Sequence, residues 1–161
     1  MFIVGTTFCT VGREVIVAKQ CIKYLGLNID SKLKFTIHAK QTAVKANKVV
    51  QKISHILPNI ILGNPKKRKL IGNVATSILL YGAPNWANSM SKTGIKEHHK
   101  VTRKTNLRVI SAYSTTSADA AQVLSDTPPI DLMATERKDM YLLKATVGTV
   151  ETRREIKEKT M

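Results

Sequence analysis

Hydrophobic and polar residues follow two different rhythms along the chain. Up to residue 30, β-branched or apolar runs (residues 2–8, 11–18 and 21–29) are punctuated by Gly5, Gly12 and Gly26, the pattern of short strands. Val15 and Val17 alternate with Ile16 and Ala18, so both faces of that run are apolar, and a ribbon of two or three such strands is marginal unless it rests on something larger. From Ser31 the period lengthens. Phe35, Ala39, Thr42, Ala46, Val49, Ile53 and Leu57 recur at steps of four and three, which lines one face of a helix that Pro58 closes. A second helix is expected from Pro65, with Leu70, Ile71, Val74, Ala75, Ile78 and Leu79 on its apolar face. Gly82-Ala83-Pro84 should end it, leaving Asn85 and Trp86 in a loop. A third helix, from Ser91 or Thr93 to Tyr113, has a weaker apolar line of Ile95, Val101, Leu107, Val109 and Ile110. Ser117 caps a short helix through Leu124, Thr127-Pro128-Pro129 breaks the chain, and a last helix runs over residues 130–147. Residues 150–161 carry charges of both signs and no apolar face, as a frayed or disordered tail would. The expected fold class is α+β: a short N-terminal antiparallel ribbon (residues 1–30), a bundle of four or five helices (31–148) and a charged tail (149–161).

Charge changes this picture from a fold to a function class. The 161 residues include 26 Lys and Arg against 11 Asp and Glu, a net charge of +15. Residues 31–110 hold sixteen basic residues and one acid, Glu97, so they carry the whole imbalance; residues 1–30 are at +1 and residues 111–161 at −1. Counterion release makes nucleic acid the natural partner for such a segment, the plainer alternative being a basic surface with no specific partner. No run approaches the ~20 apolar residues of a membrane span, so no membrane partner is expected. The N-terminus lacks the pattern of a secretory signal, and two cysteines, Cys9 and Cys21, suit a reducing compartment. An intracellular protein, nuclear or cytoplasmic, is expected.

The sequence does not support catalysis by this chain alone. Metal-dependent phosphoryl transfer needs carboxylates close enough to share divalent cations, yet no two acids are adjacent and the basic half contains one. The cysteines and His38, His55, His98 and His99 show no zinc-ligand spacing, and His98-His99 on a basic helix reads as a solvated pair. Three features remain. Lys66, Lys67, Arg68 and Lys69 occupy the first turn of the second helix, where amide ends and cations together can hold phosphate; a solvated run or a nuclear-targeting cluster is the alternative. Lys23-Tyr24-Leu25-Gly26 sets a tyrosine and a glycine at a strand kink, open to close backbone approach or simply packed. Trp86 is a candidate for stacking on a base, or for the core.

Taken in order, several segments resemble the reverse transcriptases of non-LTR retrotransposons, especially those of insects. Residues 22–30 (IKYLGLNID) look like the "KYLG" strand that follows the palm core, and AVKANK at 43–48 with LPNI at 57–60 resembles the next helix. SILLYGAPNWA at 77–87 is similar to a "SILLYGAPxW" block; RVISAY at 108–113 and PPIDL at 128–132 match two more. The likeness covers roughly residues 20–140 and implies the end of the palm, the thumb and the connection. The family's polymerase chemistry uses an aspartate pair N-terminal to KYLG, and no Asp-Asp pair occurs in this sequence. With Met1 only about twenty residues ahead of that strand, the resemblance implies a fragment severed from its active site, with no cofactor of its own, since Mg2+ would belong to the missing palm. It further implies that Tyr24, Leu25 and Gly26 lie near a primer end. By region, Lys40, Lys45, Lys48, Lys52, Lys66, Lys67, Arg68, Lys69, Lys100, Arg103, Lys104 and Arg108 would lie near phosphates of an RNA–DNA hybrid or duplex. A palm-bearing chain is a further possible partner. The rival expectations are a domesticated protein-interaction module and a truncated copy without function.

Overall fold

A computed structural model of the protein describes residues 8–11, 13–17, 19–56 and 65–146. The expected α+β order is present, and the N-terminal ribbon is two separate antiparallel hairpins. Strands β1 (Phe8–Val11) and β2 (Glu14–Val17) form the first, and β3 (Cys21–Tyr24) and β4 (Leu27–Asp30) the second. The run at residues 21–29 is therefore folded back on itself, not kinked: a two-residue turn at Leu25-Gly26 pairs Tyr24 with Leu27. Expectations for residues 2–7, for Pro58 as a helix stop and for the tail lie outside the described residues.

Asp30 carries the chain from sheet to helix. Its carboxylate accepts from the backbone N–H of Phe35 (2.8 Å) and Lys34 (3.2 Å), bracing a turn in which Leu33 and Phe35 both take φ near +50°. Helix α1 (Thr36–Ile56) then buries Ala39, Thr42, Ala43, Ala46 and Val50 and exposes Lys40, Lys45, Lys48 and Lys52, as its period requires. Helix α2 (Pro65–Leu79) starts at the expected proline. The segment after it is no loop: Gly82, at φ +64°, precedes a single helical turn, α3 (Ala83–Trp86), with a proline inside it. Helix α4 (Lys92–Val109) is capped by Ser91, whose hydroxyl accepts from Gly94 N–H, and ends four residues short of Tyr113 where Ser111 turns to φ +56°. Helices α5 (Ala118–Leu124) and α6 (Ile130–Thr146) fall where the caps and prolines set them. Among the described residues the expected four or five helices become six, the extra one being the single turn α3.

Helices α1, α2 and α4 pack on one another, β4 lies on α1, and α3 is held by α6. The main core joins Leu27, Phe35, the α1 alanines, Leu79, Leu80, Trp86 and Val101. Small α1 residues let the neighbouring helices come close. A satellite cluster of Val50, Ile71 and Ala75 ties the far end of α1 to α2.

Candidate nucleic-acid interface

The two most distinctive sequence blocks interlock. At the β3–β4 turn, Leu25 (φ +45°) and Gly26 (φ +83°) both take left-handed backbone, the geometry of the tight hairpin turn that favours Asn-Gly. Leucine pays about 1–2 kcal/mol there, and the residue is 76% exposed. Tyr81 holds the turn: its hydroxyl donates to the Leu25 carbonyl (2.9 Å), and its ring lies so close that a Cβ on Gly26 would sit 3.0 Å from it. Gly82 meets the other side of the hairpin, where a Cβ would fall 2.6 Å from Leu27 Cδ2. Trp86 then anchors the block from below, buried, with Nε1 donating to the Tyr81 carbonyl (2.9 Å). Its ring is edge-on to His98, so it belongs to the core and stacks on no base.

This junction divides the predicted Tyr24, Leu25 and Gly26. Gly26 opens on a cleft of about 520 Å³ together with Lys23, Lys45, Gln41, Asn28, Ser77 and Tyr81. Two cations and no acid line it, and Asn28 Nδ2 donates to Gln41 Oε1 (2.8 Å) across it. Tyr24 and Leu25 face a different, mainly apolar groove of about 590 Å³ with Leu27, Ile29, Leu33 and Phe35. Asn28, Gln41 and Ser77 were missed by sequence reading; the four-residue step from Gln41 to Lys45 was the available signal.

The other predicted cations are scattered over several faces. Lys45, Lys48 and Lys52 form one exposed stripe on α1. Lys40 lies near Glu97, whose carboxyl is held below its usual range first by the hydrogen bond from Lys100 (2.8 Å) and further by the positive charges of Lys100 and Lys40. In the first turn of α2, Lys66 and Lys67 are exposed, whereas Arg68 is half-buried and donates to Ser111 Oγ, and Lys69 pairs with Asp126 (3.0 Å). Arg103 donates through Nη2 to the Ser114 (2.9 Å) and Thr116 (3.1 Å) carbonyls and, with Lys100, lines a second cleft; Lys104 and Arg108 are exposed on α4.

The His98-His99 pair is split by the fold. His99 is exposed, 3.9 Å from Asp131, but His98 is 1% exposed and bonded to Thr42 (3.0 Å). Thr42 donates its one proton to the His38 or Ala39 carbonyl, so it accepts from His98 Nε2–H, which places a proton on that ring nitrogen. Burial, with the charges of His38 and His99 adding, lowers the His98 pKa to about 4. His38 accepts at Nδ1 from Asn28 N–H (3.4 Å) and is also lowered by burial, with the Tyr81 backbone opposing. These neutral rings stand directly behind the cleft, since Thr42 and Asn28 both line it. Among the described residues no three His, Cys, Asp or Glu side chains gather as a metal site, and no helix is long and apolar enough to cross a membrane.

No family model and no solved structure gives a significant match. One curated protein does: the chain is 27% identical over 135 residues to a 115 kDa protein ascribed to the type-1 retrotransposable element R1DM of Drosophila melanogaster. The match takes in 83% of this chain and 13% of that protein, so the chain spans about an eighth of its relative's length. The likeness supports a retrotransposon origin for this chain.

Proposed function

We propose that the protein is the end of the palm, thumb and connection region of a non-LTR retrotransposon reverse transcriptase, and that it binds the backbone of a template–primer duplex without reading its sequence. The observation that carries this reading is the interlocked junction itself. The turn at Leu25-Gly26 is held in costly backbone geometry by Tyr81 beside a cleft with two lysines and no acid. Strain kept at an exposed position is a mark of function, and an acid-free cationic cleft suits phosphate. Nucleotide joining belongs to a palm-bearing chain with its Mg2+. The apolar groove with exposed Tyr24, Leu25 and Leu33 fits contact with such a chain.

The test is binding of the full chain to an RNA–DNA hybrid across a salt series. Affinity should fall about a hundredfold between 50 and 200 mM salt if roughly four phosphates are contacted. Salt-insensitive binding, or none at low salt, would overturn the reading.

A further inference from the structure

A second cleft, of about 610 Å³, opens between α4, α5 and the start of α6 and shares no lining residue with the hairpin cleft. Its walls differ in chemistry. Lys96, Lys100 and Arg103, at steps of four and three along α4, make a cationic wall. Opposite stand Asp119 and Gln122, one turn apart on α5, and Asp131 in the first turn of α6. Arg103 is fixed by its two carbonyl partners, while among the described residues Lys96 and Asp119 have no side-chain partner. His99 and Asp131, at 3.9 Å, are too far apart for a hydrogen bond, so each can turn to a ligand.

A duplex backbone would set phosphates near both walls, and the carboxylates would repel them. The walls instead suit a ligand that is anionic on one side and offers N–H donors on the other. A nucleotide has that polarity, and the cleft is large enough for one. Only an unpaired base has its edge free. A carboxylate and an amide oxygen accept from the exocyclic amino groups of cytosine and adenine, which uracil lacks. We propose that this cleft seats one nucleotide of an unpaired nucleic-acid strand, with its phosphate on α4 and an amino-bearing base on α5.

The inference is independent of the duplex reading, and the experiment separates them. The full chain is titrated with short oligocytidylate, oligouridylate and an RNA–DNA hybrid. Oligocytidylate should bind roughly five- to tenfold more tightly than oligouridylate. Asp119→Ala, which removes the acceptor along with the charge, should abolish that preference by weakening oligocytidylate binding, with hybrid binding unchanged or tighter. The sign is decisive, because removing an anion from a cationic protein strengthens purely electrostatic binding. Gln122→Ala, which leaves every charge in place, should reduce the same preference and serves if Asp119→Ala disturbs the short α5. Equal affinity of the wild type for the two homopolymers overturns the proposal. So does an Asp119→Ala chain that binds oligocytidylate as tightly as before or more so.

Discussion

The surroundings of the hairpin cleft and the first turn of α2 carry the same kinds of basic residue and use them differently. Around the cleft, Lys23 and Lys45 meet amides and hydroxyls and no acid. In α2, Arg68 and Lys69 reach Ser111 and Asp126 and so fasten the helix start to the turns flanking α5. A cationic run in the sequence is thus not the same as a cationic surface. Where the fold supplies partners, part of the charge becomes a brace; where it supplies none, it stays available to a ligand.

The sharpest way to break this contrast is to unseat the cleft without touching a charge. Gly82→Val puts a branched side chain at φ +64° and against Leu27. It should cost about 4 kcal/mol in urea unfolding and weaken hybrid binding with it, whereas an unchanged midpoint would mean that the hairpin is not held there. Acidification tests the seam behind the cleft. His98 has a pKa of about 4 in the folded chain against 6.5 for the ordinary residue. The unfolded chain therefore takes up the proton first, and stability is full above pH ~6.5 and declines as the pH falls toward 4, by up to about 3 kcal/mol. His38, also lowered, acts in the same direction. Melting temperatures followed over this range should show the decline, and His98→Gln should flatten it; a flat wild-type profile would rule out the buried neutral pair. The smallest effect sharpens the comparison most directly. Lys45→Ala should lower the salt slope of hybrid binding by about one unit. Lys69→Ala should leave that slope alone and change stability by at most ~1 kcal/mol, as expected for an exposed pair. Equal slopes for the two variants would erase the distinction.

The helices were legible where apolar residues keep a strict period and caps are explicit, as in α1 with its alanines and α5 with Ser117. The inner face of α4 was not. It buries His98, which the sequence reads as solvated, together with Thr102, Thr105 and Asn106, none of which belongs to its apolar line. Thr102 and Thr105 satisfy their hydroxyls on carbonyls one turn back, and His98 finds Thr42 on another helix. Periodicity cannot register a polar group whose partner lies 56 residues away. The turn of the Lys23-Tyr24-Leu25-Gly26 segment was marked by its glycine, but the Tyr81 contact that makes it a site is equally long-range. The α4–α5 cleft was half legible: Lys100 and Arg103 stood out by charge, while Asp119 and Gln122 gave no signal until α5 folded across from them.

Trp86 has a practical consequence. It is the sole tryptophan, shielded from water, with its indole set edge-on to an imidazole 5.5 Å away. Its emission therefore reports from a single known spot, directly beneath the tyrosine that clasps the hairpin. A red shift marks the arrival of solvent at that spot, and the loosening of the junction can be watched optically in the unmodified chain, with no dye attached.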